Sequence, residues 1–261
     1  MVDVYTHGHD ASVLRAHDSR TVANSAAYLE PDLRPGVSVL DVGCGAGSIT
    51  ADIAGRVAPG LVVGIDPAPK AASATRNRSD AVVVAVGSGF RLPFADDSFD
   101  LVHAHQVLQH LSDPVAALVE MRRVCRPGGI VAVRDADYAA MTWWPEVDGL
   151  AAWLAVYRAV AHGNGAEPDA GRRLRAWCRA AGFPDLDSTA SVWTFADPGE
   201  RRCWGHQWAE RSVDSAFARQ AVERGLADEQ ELARIAAAWR GWAADDDGWF
   251  LVPHGEVRCR A

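Results

Sequence analysis

The chain has 261 residues, 49% of them apolar, and its 26 Lys+Arg against 34 Asp+Glu give a formal net charge of −8. That apolar content excludes a globally disordered chain, and the acidic balance excludes general attraction to nucleic acid or anionic membranes. Five scattered cysteines (Cys44, Cys125, Cys178, Cys203, Cys259) without a C-x-x-C pair argue against a disulfide framework or a zinc site.

The predicted elements begin with helical structure between Ser12 and Leu29, ended by Pro31 and the Pro35-Gly36 turn. Val37 to Val42 reads as a buried strand that breaks at Gly43 and leads into a helix from Ser48 to Val57. Leu61 to Ile65 is a second strand, ending at Asp66, and a short helix follows over Pro69–Arg76. Ala81–Val86 and Asp100–Ala104 are strands three and four. Val115–Cys125 is a helix, Arg126-Pro127-Gly128-Gly129 a turn, and Ile130–Arg134 a fifth strand. Alternation of helices with continuous apolar strands predicts an α/β fold, a doubly wound and mostly parallel sheet covered on both faces.

The second half is helical at Leu150–His162, Ala170–Ala181, Pro198–Arg211, Val213–Arg224 and Asp228–Ala243. Strands at Asp187–Phe195 and Trp249–Cys259 complete a seven-stranded sheet at one edge. The expected organisation is one domain over residues 1–261. It has an N-terminal helical cap (1–36), a core of alternating strands and helices (37–136) and a second half (137–261) with a helical insertion at about 197–247. No apolar run approaches the roughly 18 residues that span a bilayer, so a cytoplasmic protein without a membrane partner is expected.

The informative stretch is Val39-Leu40-Asp41-Val42-Gly43-Cys44-Gly45-Ala46-Gly47. Glycines let the backbone turn from strand to helix at positive φ and admit a ligand to the main chain. In a doubly wound sheet this loop lies at the carboxyl edge, where ligands bind. About twenty residues on, Asp66 ends the second strand, where a carboxylate accepts both ribose hydroxyls of an adenosine. The pattern is G-x-G-x-G with Ser48 at the place of a third small residue, unlike the nicotinamide fingerprint. Asp41 before the loop suits an amino-acid ammonium better than a pyrophosphate.

Here the sequence resembles the class I, Rossmann-like S-adenosylmethionine-dependent methyltransferases, over roughly residues 35–136. Four blocks carry the likeness: the glycine loop; Val62-Val63-Gly64-Ile65-Asp66; Ser98-Phe99-Asp100-Leu101-Val102 with Gln106-Val107-Leu108-Gln109-His110-Leu111; and Arg123-Val124-Cys125-Arg126-Pro127-Gly128-Gly129. It is most similar to the branch of ubiquinone- and menaquinone-biosynthesis methyltransferases. The resemblance implies S-adenosylmethionine as cofactor, with Asp41, Gly43, Cys44 and Gly45 around its methionine part. Asp66 then holds the ribose and Pro67 borders the adenine. Ser88 and Gly89 stand where similar enzymes carry an acidic residue for the adenine amino group. His105 and Gln106 lie under the sulfonium. The Asp66–Ala81 segment is shorter than usual.

Candidate bases are His105 and His110, with Tyr138 and the N-terminal His7 and His9 behind them. His103 reads as a packed residue, Asp135 and Asp137 as caps and Cys44 as a small filler; no metal set is apparent. All ten tryptophans lie at or after Trp143, and Trp143-Trp144, Trp204, Trp208, Trp239 and Trp242 fall where the sheet's carboxyl edge is capped. This predicts methyl transfer to an apolar or aromatic small molecule, with no nucleic-acid partner and a homodimer left open. The competing readings are a non-catalytic nucleoside- or S-adenosylmethionine-binding regulator on the same fold, and an RNA methyltransferase.

Overall fold

The computed structural model describes residues 20–261, so the expectations for Tyr5, His7 and His9 lie outside the described residues. The described chain opens with a short helix, α1 (Val22–Ser25), and a 3-10 segment, Ala27–Asp32. The parallel half follows: β1 (Val39–Val42), α2 (Ser48–Val57), β2 (Val62–Asp66), α3 (Pro69–Arg78), β3 (Val82–Val86), β4 (Phe99–His105), α4 (Pro114–Val124) and β5 (Cys125–Ala136). Then come β6 (Thr142–Trp144), α5 (Asp148–Gly163), α6 (Leu174–Ala180), β7 (Asp185–Phe195), α7 (Pro198–Val213), α8 (Ala216–Glu223), α9 (Glu229–Ala244) and β8 (Trp249–Arg260).

Local chemistry sets many of these limits. Proline stands in the first turn of α3, α4 and α7, where a missing N–H costs nothing. Asp113, Asp197 and Asp228 cap α4, α7 and α9, each accepting a first-turn backbone N–H.

Among the described residues the sheet has eight strands, in the order β3-β2-β1-β4-β5-β8-β6 with β7 also paired to β8. β1 to β5 run parallel, whereas β8 is antiparallel to β5, β6 and β7. The strand beyond the expected seven is β6, three residues that pair only with the start of β8. The turn expected at residues 126–129 lies inside β5. Gly128 and Gly129 exchange hydrogen bonds with Ala261, so the sheet continues through them. The helix expected over Ala170–Ala181 divides into a 3-10 turn, Ala170–Arg173, and α6.

Alternation along the strands gives the sheet two different faces. Leu40, Val42, Val102, Ala104, Val131 and Val133 pack against α4 and α6. On the other face, Val39, Val62, Leu101 and Ala132 pack against α2 and the 22–29 segment. Towards the strand ends this second face turns polar, with Asp41, His103, His105, Arg134, His254 and Glu256 all buried.

A third core joins α5, α7, α8 and α9 around Trp153, Trp208, Trp239 and Phe250. The α7–α9 crossing is close because Gly205 lacks a side chain: a Cβ there would sit 2.6 Å from that of Ala243. No helix among the described residues is long and apolar enough to cross a membrane.

Candidate active site

The sharp exit from β1 needs left-handed backbone, and Gly43, Gly45 and Gly47 supply it at φ of 73°, 57° and 78°. Gly43 also leaves room for a neighbour, since a Cβ there would come within 2.4 Å of Val107. Asp66 sits beside this loop at the end of β2 and is nearly buried. One carboxylate oxygen accepts the Gly45 N–H at 3.0 Å and the other the Ala68 N–H at 2.8 Å. Asp41 is buried beneath, its oxygens taking the Thr50 hydroxyl at 2.6 Å and His103 Nδ1 at 2.9 Å. Cys44 packs against Gly64, and burial, reinforced by the Asp41 charge, pushes its thiol up to about 12.

β4 delivers His105 and then Gln106, a non-glycine residue at φ 54°. Strained conformations of this kind persist where surrounding contacts over-determine them. The Gln106 N–H donates to the Arg134 carbonyl at 2.7 Å, and its side-chain Nε2 meets His254 Nε2 at 2.8 Å. Arg134 is buried, bonded to His105 Nε2 (2.8 Å), Glu256 (3.2 Å) and Ser191 (3.1 Å). Burial, with the Arg134 and Arg20 charges behind it, holds His105 well below the usual imidazole range. His110, on a 3-10 turn after β4, is lowered to about 3, mainly by burial and then by Arg20.

A cavity of about 590 Å³ lies at the carboxyl ends of β1, β2, β4 and β5. All of Asp41, Gly43, Cys44, Gly45, Asp66, Pro67, Ser88, Gly89, His105, Gln106 and His110 line it. At the far end its wall is Tyr138, Met141, Trp193, Trp204, Trp208, Arg211 and Val252, with Arg20 beside them. His103 does not reach the cavity, being held by Asp41 and Tyr28. Asp137 is held by Arg172 through two bonds of 2.6 and 2.7 Å. Trp143, Trp144, Trp239 and Trp242 do not line the cavity.

Sequence reasoning did not find Arg20, Met141, Trp193, Arg211, Val252 or His254. Trp193 and Val252 face each other in register on β7 and β8, a pairing no local motif announces. Arg211 carried one signal, a cation three residues after Trp208 on the same helix; its guanidinium lies 5.2 Å from that ring.

Asp135, at the end of β5, is fully buried; one oxygen accepts the Gln109 N–H at 3.1 Å and the other has no partner among the described residues. Burial raises its carboxyl to about 8. Between the ordinary carboxylate range and pH 8 the folded chain thus keeps a proton that the unfolded chain releases. Stability must fall across that window as pH rises, then level off. Urea unfolding from pH 5 to 9 should show this decline in the wild type and a flatter profile in Asp135→Asn. Parallel profiles would remove Asp135 as its source.

A doubly wound sheet, a glycine loop at its carboxyl edge and an acidic strand end beside it define a Rossmann-like enzyme for an adenosine-bearing cofactor. The comparisons sharpen this. Residues 40–133 match the methyltransferase domain family model Methyltransf_11. The chain is 34% identical to an uncharacterized methyltransferase of Schizosaccharomyces pombe over 97% of its own length and 95% of the relative's. It is 42% identical to a demethylmenaquinone methyltransferase of Beutenbergia cavernae over 43% of this chain and 45% of that one. A Haemonchus contortus phosphoethanolamine N-methyltransferase, solved with phosphomonomethylethanolamine and S-adenosylhomocysteine, shares the fold. Its TM-score is 0.56 at 16% identity, over 97% of this chain and 60% of that one.

The chain belongs to the S-adenosylmethionine-dependent methyltransferases. Its cofactor is S-adenosylmethionine, and the loop fits that molecule: glycine backbone without side chains, a nearly buried carboxylate and a cavity of adequate volume.

Proposed function

We propose that this enzyme methylates an apolar or aromatic small molecule. The observation that carries the reading is the continuity of one cavity, with the glycine loop and Asp66 at one end and tryptophan walls at the other. When bound, S-adenosylmethionine supplies an activated methyl group, so the protein's task is to bind, orient and exclude water.

In this reading Asp66 accepts the ribose hydroxyls, Pro67 borders the adenine, and Ser88 with Gly89 lies along its edge. The backbone of Gly43, Cys44 and Gly45 surrounds the amino-acid part, and buried Asp41 braces the loop from beneath through Thr50. Gln106 and His105 stand where the two halves of the cavity meet. Trp193, Trp204 and Trp208 hold the acceptor by its apolar faces. The cytoplasm is the proposed place of action, consistent with five free cysteines.

The test is a transfer assay with methyl-labelled S-adenosylmethionine against aromatic small molecules, amines, lipids and RNA. Turnover is expected among the aromatic small molecules and not on RNA; label found only in RNA would reject the reading.

A further inference from the structure

His105 lines the cavity, but its lone pair is already committed. Arg134 Nη1 lies 2.8 Å from His105 Nε2. A guanidinium can only donate, so Nε2 accepts and the ring hydrogen sits on Nδ1. Burial lowers Arg134 to about 10, which leaves it charged at neutral pH. Nδ1 has no partner among the described residues and is not sealed from the cavity that the ring lines. The titratable and charged groups around the ring are Arg134, Arg20, His103 and His254, with Glu256 behind Arg134. Burial first, and the Arg134 charge next, disfavour a second ring proton. A neutral ring with its Nε2 lone pair in use cannot take a proton from a substrate, but it can give a hydrogen bond.

Arg134 does not line the cavity, yet it holds both residues where the two halves meet. Its side chain fixes the His105 ring, and its carbonyl accepts the Gln106 N–H at 2.7 Å. Glu256 and Ser191 hold the guanidinium in turn, at 3.2 and 3.1 Å. Ser191 and Thr189 donate to Glu256 at 2.5 and 2.8 Å, which ties the set across β5, β7 and β8. The His105 ring lies 5.8 Å from that of Trp193, a wall residue of the tryptophan-lined end.

We infer that His105 is a hydrogen-bond donor to an oxygen of the methyl acceptor and not the base for its transfer, with Arg134 as the residue that positions it. The inference rests on the proposed transfer to a small molecule. The guanidinium on Nε2 polarises the ring and strengthens Nδ1–H as a donor.

Long-range proton–nitrogen correlation spectra of the full chain, with ring-labelled histidine, read the tautomer directly, and His105→Asn assigns the signals. The His105 ring should stay neutral with its hydrogen on Nδ1 from pH 6 to 8. A hydrogen on Nε2, or a second proton taken up in that range, overturns the inference. Arg134→Met paired with Glu256→Gln removes both buried charges together and should let the ring exchange tautomers. An unchanged Nδ1–H ring in that pair would remove Arg134 from its role. If the pair does not fold, the wild type decides through the spin coupling expected across the hydrogen bond from Arg134 Nη1 to His105 Nε2, and its absence has the same meaning.

Calorimetry with 2-acetylnaphthalene and 2-isopropenylnaphthalene, which differ by a carbonyl oxygen in place of a CH2, tests the donor. The ratio of their affinities should shift against the ketone by about five-fold in His105→Ala, the size of one neutral hydrogen bond. It should stay within about two-fold of wild type in His105→Asn, whose amide N–H stands in for Nδ1–H. Both variants lose the Arg134 contact, so a merely structural role moves them together. A ratio unmoved in the alanine variant, an equal shift in both, or no binding of either probe overturns the donor. Wild type that methylates aromatic small molecules while these results fail would sink this inference alone. Wild type that methylates no small molecule would sink the broader reading and this one with it.

Discussion

Replacing Asp66 with alanine is expected to weaken S-adenosylmethionine binding about 100-fold. Two hydrogen bonds from ribose hydroxyls to a carboxylate contribute roughly 1.5–3 kcal/mol each, and about 3 kcal/mol in total corresponds to two decades of affinity. The change also frees the Gly45 and Ala68 N–H groups that the carboxylate now accepts, so the loop loses its brace together with the ligand contact. Asp66→Asn, which keeps an acceptor oxygen, should fall between wild type and alanine. Calorimetric titration of the three proteins decides it, and an alanine variant within threefold of wild type would remove Asp66 from the cofactor site.

The second large effect is on stability. Trp153 is fully buried in α5, edge-on to Trp208 at 4.5 Å and Trp239 at 4.9 Å. Truncating a buried Trp to alanine costs about 3–5 kcal/mol, through lost transfer energy and the cavity left behind. Trp153→Ala should lose that much in urea unfolding. Trp208 lines the tryptophan-walled end of the cavity and leans on Trp153, so on the proposed reading acceptor binding should weaken while S-adenosylmethionine binding by the folded variant stays near wild type. A loss below about 1 kcal/mol would show that the aromatic core refills the space.

The parts of the molecule written in contiguous residues were legible. The helix expected over Ser48–Val57 forms over those residues, because the glycine loop fixes its start and Ala58-Pro59-Gly60 its end. The glycine loop and Asp66 come together as expected because a strand, a turn and the next parallel strand specify their relation locally. The tryptophan-lined wall is different. Arg20, Tyr138, Met141, Trp193, Arg211 and Val252 come from segments more than 200 residues apart and meet only through sheet register and helix packing.

The histidines show the same limit more sharply. The family resemblance made His105 and His110 candidate bases. Their hydrogen-bond partners depend on Arg134 lying opposite His105 in the β4–β5 register and on a Gln109 amide fixed by Ala136. β6 was missed because three residues carry too little periodicity to declare a strand; only the partner β8 makes Thr142–Trp144 one.

Phe195, the last residue of β7, lies opposite Phe250, the second of β8. The three helices between them therefore leave and rejoin the sheet at a single doorway, while the glycine loop is built wholly upstream. On the proposed reading that span brings Trp204 and Trp208 to the cavity, so exchanging it among related chains should change which molecule is modified while S-adenosylmethionine binding stays near its original level.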